Sequence, residues 1–151
     1  MKIHWNEKTH LDDFAELNKA WIEKYFEIED VDRELFEDPE KIIRDGGFVL
    51  TVTNDNNVVG TCALFKDTQE KYELARMAVT ESQQGKGIGK MLIVETLDFA
   101  KMRGIKKLFL VSNTRLEAAI SLYKRFGFET TFEGQHPYYK RGDIVMEKDI
   151  S

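Results

Sequence analysis

A single mixed α/β domain, residues 1–151, is predicted for this chain from three observations. Short β-branched runs alternate with amphipathic helical stretches, the length suits one core, and a strand leads through clustered glycines straight into a long helical pattern. The elements follow in order. "MKIHWN" is short and alternating, a first strand. From Thr9 onward, Leu11, Phe14, Leu17, Trp21, Ile22 and Tyr25 recur at helical spacing. Asp38-Pro39 signals a second helix, an N-cap followed by proline at the first helical position, which ends at Gly46-Gly47. "FVLTV" (Phe48–Val52) and "VVGTCALF" (Val58–Phe65) are β-rich runs joined by the turn signal "TNDNN". "KYELARMAV" (Lys71–Val79) is a third such run. A helix reaches about Met102 and stops at Gly104. "KKLFLV" (Lys106–Val111) reads as a buried strand, "RLEAAISLYKRF" (Arg115–Phe126) as a helix stopped by Gly127, and "FETTFEG" and "DIVMEKDI" as closing strands. The order is β α α β β β α β α β β.

Composition narrows the function. Lys plus Arg number 22 and Asp plus Glu 27, a net charge of −5, which argues against a general nucleic-acid binder. The one cysteine, Cys62, allows no internal disulfide and no CxxC metal or redox motif; within an apolar run it reads as a small buried hydrophobe. The start has no apolar signal core and no stretch reaches membrane-spanning length, so no membrane partner and a cytoplasmic setting are expected. His4, His10 and His136 show no ligand spacing, and no metal is expected.

The most informative stretch is "MAVTESQQGKGIGKMLIVETLDFA", where Gly85, Gly87 and Gly89 stand at every second position. Glycine in an element interior costs roughly 0.5–1 kcal/mol relative to alanine, so the cluster needs a reason. A helix N-terminus offers unpaired N–H groups and the positive end of the helix dipole, and glycines remove the Cβ that would keep an anion at a distance. The loop therefore suits a phosphate or pyrophosphate, with a ligand-free glycine turn as the alternative. It is not a Walker loop, which needs G-x-x-x-x-G-K-[ST]. Nor is it the dinucleotide fingerprint, since Leu92 stands where the third glycine would follow Gly87 and Gly89.

"Gln84-Gly85-Lys86-Gly87-Ile88-Gly89" resembles the Q/R-x-x-G-x-G/A motif of the GNAT superfamily of acyl-CoA-dependent N-acyltransferases. "LARMAV" resembles that family's fourth strand, and "AAISLYKRFGF" (Ala118–Phe128) its helix with a tyrosine ending in Gly-Phe. The resemblance in order and spacing covers nearly the whole chain. It implies a mixed central sheet flanked by about four helices and splayed between strands 4 and 5, with acyl-CoA in the gap. The backbone of Gln84, Gly85, Lys86, Gly87, Ile88 and Gly89 would hold the pyrophosphate, and that of Met77, Ala78 and Val79 would pair with the pantetheine arm as an added strand does. Lys86 and Lys90 would meet remaining phosphate charge, or be solvated surface lysines. Relatives place an asparagine seven residues before the tyrosine. Here that position is Leu116 and Asn113 lies ten before, so a cofactor contact by Asn113 depends on a variant geometry.

The reaction implied is direct acetyl transfer from acetyl-CoA to a primary amine of a small molecule or peptide. An alkylammonium of pKa near ~10.4 must lose a proton to attack, and the departing thiolate must gain one. Tyr123 holds the family's general-acid position; its alternative is a tyrosine packed beside Leu122 and Phe126. Glu73, eleven residues before Gln84, is the candidate base. Alternation puts Glu73 on the face of Ala75 and Met77, opposite Tyr72, Leu74 and Arg76. Its alternatives are an exposed strand glutamate, one paired with a nearby lysine, or a water relay in its place. A non-catalytic acyl-CoA sensor would use the same loop but would need neither Tyr123 nor Glu73. An unrelated phosphate binder would not need "LYKRFGF". A second copy of the chain, in a homodimer, is a further partner to be considered.

The acceptor is addressed by residues 27–40, where eight acids face one base, Arg33. An acidic rim there would attract a cationic amine, with Tyr138 or Tyr139 adding cation–π contacts. The alternative is a solvated acidic helix surface.

Overall fold

The computed structural model describes residues 1–137 and 139–151. Strands β1 (Lys2–Trp5), β2 (Phe48–Asn54), β3 (Asn57–Lys66), β4 (Lys71–Val79), β5 (Lys107–Ser112), β6 (Glu129–Glu133) and β7 (Ile144–Asp149) form one sheet in the order β1-β2-β3-β4-β5-β7-β6. Helices α1 (Leu11–Tyr25), α2 (Asp30–Glu37), α3 (Lys41–Arg44), α4 (Ile88–Met102) and α5 (Glu117–Arg125) flank it. The seven strands appear in the expected order. β2 and β3 are joined by Asp55 and Asn56, both at positive φ, the two-residue loop whose twist suits a hairpin. β4 and β5 are parallel, which requires a crossover, and α4 supplies it.

Among the described residues five α-helices flank the sheet, in line with the about four expected. The expected second helix is confined to Lys41–Arg44 and starts after the proline, with Glu40 as N-cap; Asp38 instead pairs with Arg44. The acidic stretch before it forms α2, entered through a reciprocal capping box between Glu29 and Asp32. Glutamate is a poor N-cap signal beside Ser, Thr, Asp or Asn, which is why this helix start is hidden in the sequence.

Apolar residues of both sheet faces are covered. On one face Leu50, Cys62, Leu64, Tyr72 and Leu74 pack with Ile88 and Leu92 of α4, and Ile120 and Tyr123 of α5 lie against the same cluster. On the other, Val49 and Ala63 pack with Leu11 and Phe14 of α1, Leu35 of α2 and Ile42 of α3. Each fully buried Leu, Ile or Phe contributes roughly 1.5–3 kcal/mol, so both faces carry real stabilisation. Cys62 is buried as expected; its thiol is pushed up to about 12 by burial and meets the Thr96 hydroxyl at 3.3 Å. His4 and His10 are tied to Thr53 and Thr51 at 2.9 and 2.8 Å with their rings edge to face, a structural role. Among the described residues no helix is long and apolar enough to cross a membrane.

The sheet is splayed where expected. β4 and β5 share only three pairs, Lys71–Lys107, Tyr72–Leu108 and Glu73–Phe109, and part beyond them. A bulge in β4 accompanies the parting: Arg76 and Met77 stand where one residue, Cys62, faces them from β3, and Arg76 has φ 58. A bulge adds twist and flips the side-chain parity beyond it. The strict alternation expected for β4 therefore fails. Met77 packs with the core of Tyr72 and Leu74, while Arg76 turns to the α2 side, the face of Glu73.

Candidate functional site

The glycine loop runs from Val79 through a 3₁₀ turn (Glu81–Gln83) into α4, with Gly87 as N-cap. Gly85 and Gly87 both have φ +81, and a Cβ on either would meet nothing within 4 Å. These two glycines serve backbone conformation and leave open space above the loop. Gly89 lies in the first helical turn, where a Cβ would make ordinary contact with Leu122. No side chain caps α4, and its first intrahelical bond runs from Met91 N–H to Gly87 C=O at 3.0 Å. The preceding amides of Ile88, Gly89 and Lys90 carry the positive helix end, an anion site by construction.

Between β4 and β5 lies a cleft of about 420 Å³. Its walls bring together Met77, Ala78 and Val79 on β4, then Gln84, Gly85, Gly87, Ile88 and Gly89 on the loop, with Asn113, Glu73 and Tyr123. Lys86 and Lys90 are exposed and stand outside this lining. The Gln84 amide donates back to Val79 C=O at 3.3 Å and closes the loop on itself. Sequence reasoning passed over Gln83, whose Oε1 is buried at the cleft without a partner among the described residues, an acceptor open to a ligand donor.

Tyr123 reaches the cleft from α5 with its ring edge-on to Phe128. Burial, with a smaller effect from Cys62, pushes its phenol up to about 12, so it stays protonated across the neutral range. Glu73 stands on the last paired rung before the strands part. Burial pushes its carboxyl up to about 7, against the opposing pull of Arg76; Asp67 raises it further and a hydrogen bond from Tyr139 lowers it. A carboxyl that titrates near neutrality can both take and release a proton there.

Glu73 and Tyr139 also wall a second cavity, of about 430 Å³, on the α2 side. Glu34 and Asp67 line it with Lys66, Phe65, Phe109 and His136. Tyr139 is pushed up to about 12, mainly by burial and the Glu73 charge, and its ring lies 5.9 Å from the Arg76 guanidinium and 5.8 Å from that of Arg141. Tyr138, the other aromatic expected here, lies outside the described residues.

The acidic segment is not the unpaired rim that its composition suggests. Asp32 is fully buried between two guanidiniums. Arg141 forks onto it at 2.8 Å twice, and Arg76 bonds the same carboxylate. Burial would raise the Asp32 pKa, but these bonds hold it at about 2. Glu29 pairs with Arg141, Asp30 with Arg33, Asp38 with Arg44 and Glu40 with Lys8. Of this segment's acids, Glu34 is the one that lines the second cavity.

Asn113 lines the cleft, yet both ends of its amide are engaged. Its Nδ2 donates to Arg141 C=O at 2.6 Å, and its Oδ1 accepts from Arg115 N–H at 2.9 Å. It ties the end of β5 to the loop between β6 and β7.

The model of the acetyltransferase (GNAT) family matches residues 11–128. The chain is 31% identical over 98 residues to Uncharacterized N-acetyltransferase YvbK of Bacillus subtilis (strain 168). That match covers 62% of this chain and 63% of YvbK, so the chain spans less than two thirds of that relative. Among solved structures, an acetyltransferase of the GNAT family from Staphylococcus aureus Mu50 aligns over 99% of both chains with TM-score 0.85 and 19% identity. YncA, a putative acetyltransferase from Salmonella typhimurium solved with its cofactor acetyl-CoA, aligns over 100% of this chain and 94% of its own with TM-score 0.75 and 19% identity. At such identities these structures speak for the fold.

Proposed function

The chain belongs to the acetyltransferase (GNAT) family, and from that premise we propose that it transfers an acetyl group from acetyl-CoA to a primary amine of a small molecule or peptide. One observation carries the reading: the opening between β4 and β5 has an anion-ready helix end in its wall and Glu73 at its apex, with Tyr123 in the same cleft. In YncA, a fold of this kind holds acetyl-CoA.

The loop amides from Gln84 to Gly89 bind the pyrophosphate, and the backbone of Met77, Ala78 and Val79 aligns the pantetheine arm. Lys86 and Lys90 add positive charge from outside the cleft. Asn113 acts on the cofactor side by holding the end of β5. The acceptor enters the ternary complex as an ammonium and gives one proton to the Glu73 carboxylate. Its nitrogen lone pair then forms the C–N bond at the thioester carbonyl. As the C–S bond breaks, the sulfur takes its proton from the Tyr123 hydroxyl. The acylated nitrogen, still cationic, gives its second proton back to the Tyr123 phenolate through water, and Glu73 releases its proton to solvent. This leaves the neutral amide, free CoA thiol and the enzyme as it began. No enzyme-bound acyl intermediate is involved, and no metal is used.

The second cavity supports a cationic acceptor. Glu34 and Asp67 outnumber Lys66 in its lining, and Phe65, Phe109 and Tyr139 offer aromatic faces. A cytoplasmic setting, and a chain that acts alone or as a homodimer, belong to the same reading. The competing reading is an acyl-CoA sensor, which has no use for a protonated phenol and a carboxyl poised near neutrality. The two are separated by incubating the protein with acetyl-CoA and a panel of amines while following free thiol. Thiol release that depends on an amine supports transfer. Calorimetric binding of acetyl-CoA with no release for any amine supports the sensor, and no binding at all removes both. Cys62 is buried and adds little background in the native protein.

A further inference from the structure

We propose that Arg141 is a positioning residue, a strut across the acceptor end of the cleft that fixes Tyr139 against Glu73. This rests on the acetyl-transfer reading of the same site. Three segments distant in sequence meet at one buried cluster of charge. Asp32 of α2 is fully buried, the Arg76 side chain is 5% exposed, and those of Arg141 and Glu29 are 15% and 14% exposed. Two guanidiniums face two carboxylates, so the cluster is neutral as a set and leaves an unpaired charge if any one member is removed.

The cluster holds both walls of the cleft. On the β4 side, Asp32 pins Arg76, the residue at positive φ that forms the bulge. A non-glycine residue in that region is strained and persists only where its surroundings hold it. On the β5 side, Asn113 donates to the Arg141 carbonyl, and Gly142 lies so close to β5 that a Cβ on it would come within 2.6 Å of Val111. Arg141 thus reaches the β4 wall through its side chain and the β5 wall through its backbone. Between these anchors lies Tyr139, whose carbonyl accepts from Gly142 N–H at 3.0 Å and whose ring packs near both guanidiniums. Glu29 adds a further tie by accepting from Lys140 N–H at 3.0 Å.

Without the fork from Arg141 to Asp32, the loop between β6 and β7 loses its hold on α2, and Tyr139 is free to leave Glu73. Of the other groups facing Glu73, Arg76 on its own strand, Lys66 and Asp67 at the end of β3 and Glu34 on α2 stay in place, while His136 shares the loop of Tyr139 and stacks on its ring. Loss of the Tyr139 donor disfavours the carboxylate, so the titration of Glu73 moves to higher pH. Misplacement by about 1 Å near a reacting centre costs up to ~10²-fold in rate, and the loss falls on kcat because the glycine loop is untouched.

The experiment compares wild type, Arg141→Met and Arg141→Lys, with folding checked by circular dichroism. Should Arg141→Met not fold, the pair Arg141→Met with Asp32→Asn removes the buried charge that it strands. Two readouts are taken: the pH profile of kcat with an amine and acetyl-CoA, and the titration of Glu73 by carboxyl ¹³C resonance, assigned with Glu73→Gln. The expected result for Arg141→Met is kcat lower by about 10–100-fold, an unchanged KM for acetyl-CoA, and both the acid limb and the Glu73 resonance moved up in pH. Lysine restores part of kcat, since it keeps the charge but not the fork. A Glu73 resonance titrating as in wild type, or a loss appearing in acetyl-CoA KM instead of kcat, overturns the strut. If wild type itself fails to bind acetyl-CoA, the acetyl-transfer reading falls, while the Glu73 titration still decides whether Arg141 positions Tyr139.

Discussion

Replacing Glu73 by glutamine tests the central chemical claim through stability as well as activity. Burial lifts this carboxyl from an ordinary 4.5 to about 7 in the native protein. Native Glu73 therefore holds its proton over a pH range in which the unfolded chain has released it. The resulting penalty is absent below about pH 4.5, grows as pH rises towards 7, and is then constant on the order of 3 kcal/mol. Glu73→Gln keeps the shape and has no charge to bury, so the variant should match wild type near pH 4.5 and exceed it at pH 8. For a chain of this length a gain of that order raises Tm by about 6–12 °C. Activity should move the other way. Only about a tenth of wild-type Glu73 is ionised at pH 6, so kcat/KM should rise by about tenfold between pH 6 and 8 along an acid limb near 7. Glu73→Gln should lose that limb and recover partly at high pH, where free amine is abundant. Calorimetric melts at pH 5 and 8, with pH–rate profiles of both proteins, make the comparison. A variant no more stable than wild type at pH 8, or an unchanged acid limb, would refute the assignment.

Three other outcomes follow from the cleft. Gly87→Glu places a side chain at φ +81 with no neighbour within 4 Å. It should fold at a cost of about 1–2 kcal/mol and weaken CoA binding by more than tenfold, about 1.4 kcal/mol; unchanged calorimetric affinity would remove the anion site. Tyr123→Phe keeps the ring and deletes the proton, so turnover should fall by roughly 10²–10⁴-fold with acetyl-CoA binding intact; near-normal turnover would make Tyr123 a packing residue. A polycationic amine should lose kcat/KM as salt rises while a zwitterionic amino acid barely changes. An amino acid that is the better substrate at every salt concentration would show that Glu34 and Asp67 do not select the acceptor.

What could be read in advance divides along the range of the forces involved. The seven strands and the long helices show in local periodicity, and the glycine loop shows because Gly85 and Gly87 meet a backbone demand that few residues satisfy. The bulge at Arg76 gives no such sign, since arginine is an improbable residue at positive φ and is held there by Asp32, a partner 44 positions away. The same long reach hid the fate of the acidic segment. Asp32 is neutralised by Arg141 across 109 positions, so a count of local charge overstated what faces solvent. Asn113 follows this pattern: its offset from Tyr123 was visible, but its bond to the Arg141 carbonyl was not. Tyr139 was singled out as an aromatic loop residue, and only the folded chain sets it against Glu73.

Three rungs joining β4 to β5 make this sheet, in mechanical terms, a plate with a crack running in from one edge. The tip of that crack is the rung between Glu73 and Phe109. Any force that spreads or closes the two half-sheets, β1–β4 and β5–β7–β6, is concentrated there, because beyond the tip the facing edges share no ladder bonds. A slender ligand bonded along Met77 to Val79 would act as a splint, adding the rungs that the parted strands lack. Filling the crack and protonating Glu73 would then be energetically linked, and the linkage must run both ways. Occupancy of the cleft shifts the pH at which Glu73 titrates, and the pH of the medium shifts the ligand's affinity by the same factor.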